Sequence, residues 1–260
     1  MPTPSAASLF CRLGLAVWLP SGLCAQHDAA PAPKPGHTPS SAPATHAPTG
    51  KRTPAATHAP QPSLHPLLAW QHVKNGNAAA AAAIARQEPL PAPAARPAGA
   101  GRYLCAVLVC ADCDADVPAL LGLRREDVLL VSVPGPFASA ESLALLERAV
   151  ADDRLSLVLV LGHSGCRTLQ PQRPTEGEPA ADALTRRAEV VHKEAARRQQ
   201  PVVRTLVQMQ RELLLAASES LPRKVAIDEL RVFPGELDAR TGVLTWHHQS
   251  QDAMPLAPVK

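Results

Sequence analysis

The sequence predicts an α/β fold: a central, mainly parallel β-sheet flanked by helices, preceded by a disordered segment rich in Pro and Ala. Three observations carry this expectation. The runs YLCAVLVC, ending at Cys110, and LSLVLVLGHSGC, ending at Cys166, are apolar almost throughout, as parallel strands covered on both faces must be. DVLLVSVPG supplies a further strand between them, and helical stretches alternate with the three in the order of a sheet held between helix layers. From Gln26 to about Pro66 the chain lacks the apolar mass to offset the entropy of ordering it.

Residues 1–25 carry Arg12, the apolar stretch LGLAVWL (Leu13 to Leu19) and PSGLCA, the pattern of a secretory signal peptide. The stretch is shorter than the roughly 20 residues that cross a bilayer, so no transmembrane helix is expected. Lipidation of Cys24 is the alternative form of export, and either one implies a periplasmic or extracellular protein. Residues 26–65 are rich in Pro, Ala, Thr and His, with ATHAP at 44–48 and again at 56–60, and read as a disordered linker. His37, His46 and His58 in it are solvated residues or, in the other reading, loose metal scavengers.

The folded domain is expected over residues 66–260. Leu64 to Gln87 is Ala-rich and helix-forming, with a break expected at Asn75, Gly76 and Asn77. A Pro-rich connection leads to the first strand, and after a polar loop PALLGL is briefly helical. The second strand spans Val128 to Val133. Ser139 or Ser142 can then cap a helix whose Leu143, Leu145, Leu146 and Val150 recur at helical spacing. Residues 178–220 read as helix interrupted at Pro201, with Val202, Val203, Leu206, Val207 and Met209 on its apolar face. KVAIDELRVF reads as the last strand, and LDARTGVLTW as a hairpin turning at Thr241 and Gly242.

The formal net charge of +3 is spread without a basic run, and there are one Tyr and three Phe, so nucleic acid is excluded as a partner. Six cysteines stand at 11, 24, 105, 110, 113 and 166. They do not form a staple pattern, because three of them end strands, where α/β proteins place chemistry. A His or Cys alone at a strand end is usually a packed side chain. His163 and Cys166 become informative because a parallel sheet can bring Cys110 to them. Two thiolates and an imidazole suit zinc and leave a fourth position for water. Two other readings stay open: Cys113 completes a closed Cys3His set, and Cys110-Ala-Asp-Cys113 has the spacing of a thiol–disulfide oxidoreductase, which leaves His163 and Cys166 unexplained.

The residues 66–248 resemble the β-class carbonic anhydrases. Cys110-Ala111-Asp112 matches the start of that family's Cys-x-Asp-x-Arg, and His163-Ser-Gly-Cys166 its His-x-x-Cys. Softer matches are WQHVKNGN with Gly76 and Asn77, VSVPG with Gly135, ESLALLERAV, VVRT and DARTG. The resemblance implies one Zn2+ per chain on Cys110, His163 and Cys166, with Asp112 as the catalytic proton acceptor. It further implies reversible hydration of carbon dioxide to bicarbonate by a zinc-bound hydroxide, favoured at alkaline pH, in a homodimer or higher homo-oligomer.

The chain also departs from the pattern. Asp114 stands where the family has Arg, Ala115 and Asp116 are additional, Pro136 replaces an Asn, and Arg167 replaces a Gly. Without the Arg, Asp112 is free to take the fourth zinc position, and Cys113 is its rival. Arg167 is the candidate surrogate cation, or simply a surface residue. Activity is therefore expected to be weak or lost, the latter making the chain a non-catalytic zinc-binding protein with a closed site.

Overall fold

Five strands pair in the order β2-β1-β3-β4-β5 in a computed structural model that describes residues 64–170 and 179–247. The signal peptide, nearly all of the linker and residues 248–260 lie outside the described residues. The strands are β1 (Cys105–Cys110), β2 (Val128–Val133), β3 (Leu157–His163), β4 (Arg231–Leu237) and β5 (Leu244–Trp246). The first four run parallel, and β5 closes the edge antiparallel to β4.

Every residue of β1 and β3 is buried, which explains their unbroken apolar runs. Successive side chains alternate between two cores. Val107, Val109, Leu157, Leu159 and Leu161 pack with Trp70, Val73, Leu121 and Phe233 on one face. Ala106, Leu108, Val158 and Val160 pack with Leu146, Val207 and Leu214 on the other. The chain leaves β1 toward β2 on one side and later returns to β3 on the other, so strand order reverses between β1 and β3. That is where an open α/β sheet forms its crevice, and Cys110 and His163 end the two strands beside it.

The helices are α1 (Pro66–Ala85), α2 (Val117–Leu120), α3 (Ala140–Asp152), α4 (Pro179–Arg198), α5 (Val202–Ala217) and α6 (Ser220–Ala226). Ser139 caps α3, and its partner in a reciprocal capping box is Ser142, so both serines act at that terminus. Pro201 separates α4 from α5 as expected. No helix of the described residues is long and apolar enough to cross a membrane.

Two expectations fail. Helix α1 runs unbroken through Asn75–Gly76–Asn77. Buried Asn77 donates from Nδ2 to the carbonyls of Leu120 (2.9 Å) and Gly242 (2.7 Å), and its Oδ1 accepts from the Leu244 N–H at 3.2 Å. Gly76 is there for close approach, because a Cβ on it would stand 2.1 Å from the Leu121 carbonyl oxygen. Tertiary contacts thus override the helix-breaking tendency of the three residues. Asn77→Ala should cost about 2–4 kcal/mol by leaving two carbonyls and an amide unpaired, readable as a lower urea midpoint.

KVAIDELRVF, in turn, is not one strand. Its first residues finish α6, Asp228 turns the chain at φ 60°, and the amides of Glu229 and Leu230 close that end onto the Lys224 carbonyl. Strand β4 begins only at Arg231 and continues through Pro234 and Gly235. Proline is tolerated there because β5 pairs only with Gly235 to Leu237, and the Pro234 carbonyl accepts the His247 N–H beyond it. The hairpin turns at Gly242, φ 70°, as expected.

Candidate metal centre

Cys110 is the last residue of β1 and His163 the last of β3. After His163 the chain turns at Gly165, whose φ of 71° lies in the region that favours glycine, and delivers Cys166 back toward β1. The turn is tied to the end of β4: the Ser164 N–H donates to the Leu237 carbonyl at 2.9 Å, and the Ala239 N–H donates to Ser164 Oγ at 3.2 Å. A 3-10 turn over Arg167–Leu169 follows.

The geometry brings one donor atom from each of Cys110, Asp112, His163 and Cys166 within 4.8 Å of one another. The two sulfurs are 3.7 Å apart. Asp112 Oδ1 lies 2.5 Å from Cys110 Sγ, 2.7 Å from His163 Nε2 and 3.7 Å from Cys166 Sγ. Cys110, His163 and Cys166 are buried and Asp112 is nearly so. Cys113, the rival for the fourth position, is not one of the clustered atoms; half-buried, it packs against the core that contains Val117. The four described cysteines are all free thiols.

Asp112 is held by backbone rather than by a neighbouring arginine. Its Oδ2 accepts from the Arg167 N–H at 2.7 Å and the Thr168 N–H at 3.3 Å. The Arg167 guanidinium stands farther off, with Nε 3.9 Å from the same oxygen and the side chain 74% exposed. At that distance and exposure the ion pair contributes little. The additional residues after Cys113 also have a structural use, since Asp116 Oδ1 accepts the Ala119 N–H and so caps α2.

Proton sharing couples the charges. The hydrogen bond from Cys166 is the largest influence on Cys110 and, against burial and helped by His163, lowers its thiol to about 5. The same bond, together with burial, pushes Cys166 up. Contact with Cys110 raises His163 to about 9 despite burial, with Asp112 adding to it. Burial opposes ionisation of Asp112, yet the bonds from Cys110, His163 and the Arg167 amide outweigh it and hold the carboxyl at about 2. Cys113 is raised by its burial.

This donor set fits zinc. At Zn–S distances near 2.3 Å, two sulfurs of a tetrahedron are separated by about 3.8 Å, and the observed spacing is 3.7 Å. His163 Nδ1 lies 3.1 Å from the Ser164 carbonyl, which can only accept, so Nδ1 keeps its proton and Nε2, facing the Asp112 carboxylate, is the nitrogen that would give up its proton to a metal. The carboxylate oxygen lies inside a tetrahedral corner by up to about 1 Å, a displacement a side-chain rotation corrects. Once both thiols are ionised and the imidazole is neutral, two thiolates and a carboxylate share one buried cluster, a negative charge that a divalent cation would offset.

Two parts of the site escaped sequence reasoning. The Gly135 N–H donates to Cys110 Sγ at 3.2 Å, and Thr168 Oγ1 lies 3.7 Å from the same sulfur. Gly135 is at least marked by the turn VSVPG. Thr168 has no signal beyond following a candidate ligand by two residues.

No family model matches the chain, and no curated protein does. Solved structures similar to it include β-carbonic anhydrases and a carbon disulfide hydrolase. CafA of Aspergillus fumigatus is 20% identical, with 73% of this chain and 93% of that one covered and a TM-score of 0.48. One of the tetrameric enzymes of Sordaria macrospora is 19% identical, covering 68% and 95% at 0.48. The Coccomyxa enzyme, solved with acetazolamide, is 18% identical, covering 71% and 86% at 0.49.

Proposed function

We propose that the chain binds one zinc ion through Cys110, His163 and Cys166, with Asp112 in the fourth position at rest, and hydrates carbon dioxide reversibly and slowly to bicarbonate. The observation that carries this reading is the convergence of Asp112 Oδ1 on all three other donor atoms. Zinc bound there would supply the Lewis acidity that ionises water near neutral pH.

The chain's own residues account for the rest. Two amides anchor Oδ2 and so hold the Asp112 carboxylate beside the cluster, where Oδ1 is close enough to accept a proton from a reacting water. His163 keeps its direction through Ser164, and Cys110 through Gly135. Phe137, Leu169, Val191 and Leu206 pack around Cys110 and Cys166, an apolar wall suited to a small nonpolar substrate. The tetrameric Sordaria enzymes suggest a homodimer or higher homo-oligomer here as well, which sedimentation at micromolar concentration tests.

The position of Asp112 favours a second reading, a zinc protein without catalysis. Stopped-flow hydration decides between them. The purified protein should contain about one zinc per chain and hydrate carbon dioxide measurably, ~10²–10³-fold more slowly than a site whose carboxylate is held off the metal. A rate equal to that of Cys110→Ala, which should hold no zinc, would leave only the non-catalytic role.

A further inference from the structure

We propose that Thr168 is a positioning residue of this centre, setting the direction and donor strength of the Cys110 sulfur through its hydroxyl. The proposal rests on the reading of the cluster as a metal site.

Thr168 uses three different groups on three neighbours. Its N–H donates to Asp112 Oδ2 at 3.3 Å. Its hydroxyl lies 3.7 Å from Cys110 Sγ. Its methyl fills the space beside Gly135, where an added Cβ would come within 2.5 Å of Thr168 Cγ2. Gly135, at φ 61°, in turn directs its own N–H to Cys110 Sγ at 3.2 Å. The half-buried threonine therefore acts on the same sulfur directly, through the hydroxyl, and indirectly, by supporting the loop that carries the second donor.

The direction of the hydroxyl bond follows from charge. A cysteine that ligates a metal is a thiolate with no proton to give, so the hydroxyl can only donate to it. Two donated bonds, one from an amide and one from an alcohol, fix the orientation of the sulfur and spread its charge. Contacts of this kind around a ligand typically alter metal affinity 10–100-fold. Threonine alone among similar residues provides both parts: valine keeps the methyl and loses the donor, and serine keeps the donor and loses the methyl.

The test uses full-length protein, wild type, Thr168→Val and Thr168→Ser, each loaded with Co2+ for absorption and with Zn2+ for competition against a chromophoric chelator. Thr168→Val should move the thiolate-to-cobalt charge-transfer band to lower energy and weaken zinc binding ~10-fold, with the thermal melting of the metal-free protein unchanged. Thr168→Ser should keep the wild-type band. A valine variant with wild-type band and affinity would overturn the proposal, as would a serine variant that behaves like valine, because packing would then explain both. A wild-type protein that shows no thiolate-to-cobalt band at all would overturn the metal-site reading itself.

Discussion

His163→Ala is expected to remove stoichiometric zinc from the purified protein. Structural zinc sites bind with roughly 10–16 kcal/mol over four ligands, so one lost ligand costs about 3 kcal/mol, ~10²-fold or more in affinity. No described neighbour is placed to substitute, since the cluster holds only Cys110, Asp112 and Cys166 besides His163. Removing the imidazole also leaves two thiols and a carboxyl packed together without the cation that His163 itself provides when protonated. Chelator competition measures the loss, and circular dichroism of the metal-free variant shows that the fold persists. Retention of one tightly held zinc per chain would mean that the metal sits elsewhere.

The largest stability effect is expected from Gly76→Ala. In an exposed helix this exchange gains about 1 kcal/mol, and here the sign reverses. The new Cβ would stand 2.1 Å from the Leu121 carbonyl oxygen, 2.9 Å from its carbon and 3.0 Å from Gly122 Cα. All three are backbone atoms of the segment just after α2, and none can rotate away. Gly122 is constrained from the other side, with φ 66° and Gly76 Cα 2.6 Å from where its own Cβ would lie. Separating α1 from this segment also pulls Asn77 from its three partners, so a loss of 3 kcal/mol or more, about the upper end for overpacking, is expected in urea or thermal unfolding. A variant as stable as wild type would contradict the tight α1–α2 contact.

The difference between what was legible in the sequence and what was not has a physical basis. Cys110, His163 and Cys166 stood out because each chemical group follows a buried strand at fixed spacing, and parallel pairing of adjacent strands then brings the groups together. The sheet itself was legible for the same reason. Asp114 stands where the resemblance expects an arginine, and the Asp112 carboxylate lies within the cluster. The sequence did not show that the Arg167 and Thr168 amides hold it instead, because a backbone N–H is common to nearly every residue. Asn77 was misread by its local propensity, since its partners Leu120, Gly242 and Leu244 lie far along the chain. The start of β4 was misplaced because Val225, Ala226 and Ile227 are apolar at helical and strand spacing alike.

Zinc K-edge X-ray absorption of the wild-type protein reads the ligand set directly. Two sulfurs at about 2.3 Å, with one nitrogen and one oxygen at about 2.0–2.2 Å, are expected from Cys110, Cys166, His163 and Asp112. Three sulfurs and one nitrogen would contradict it, placing Cys113 on the metal and requiring a rearrangement of the loop that follows β1.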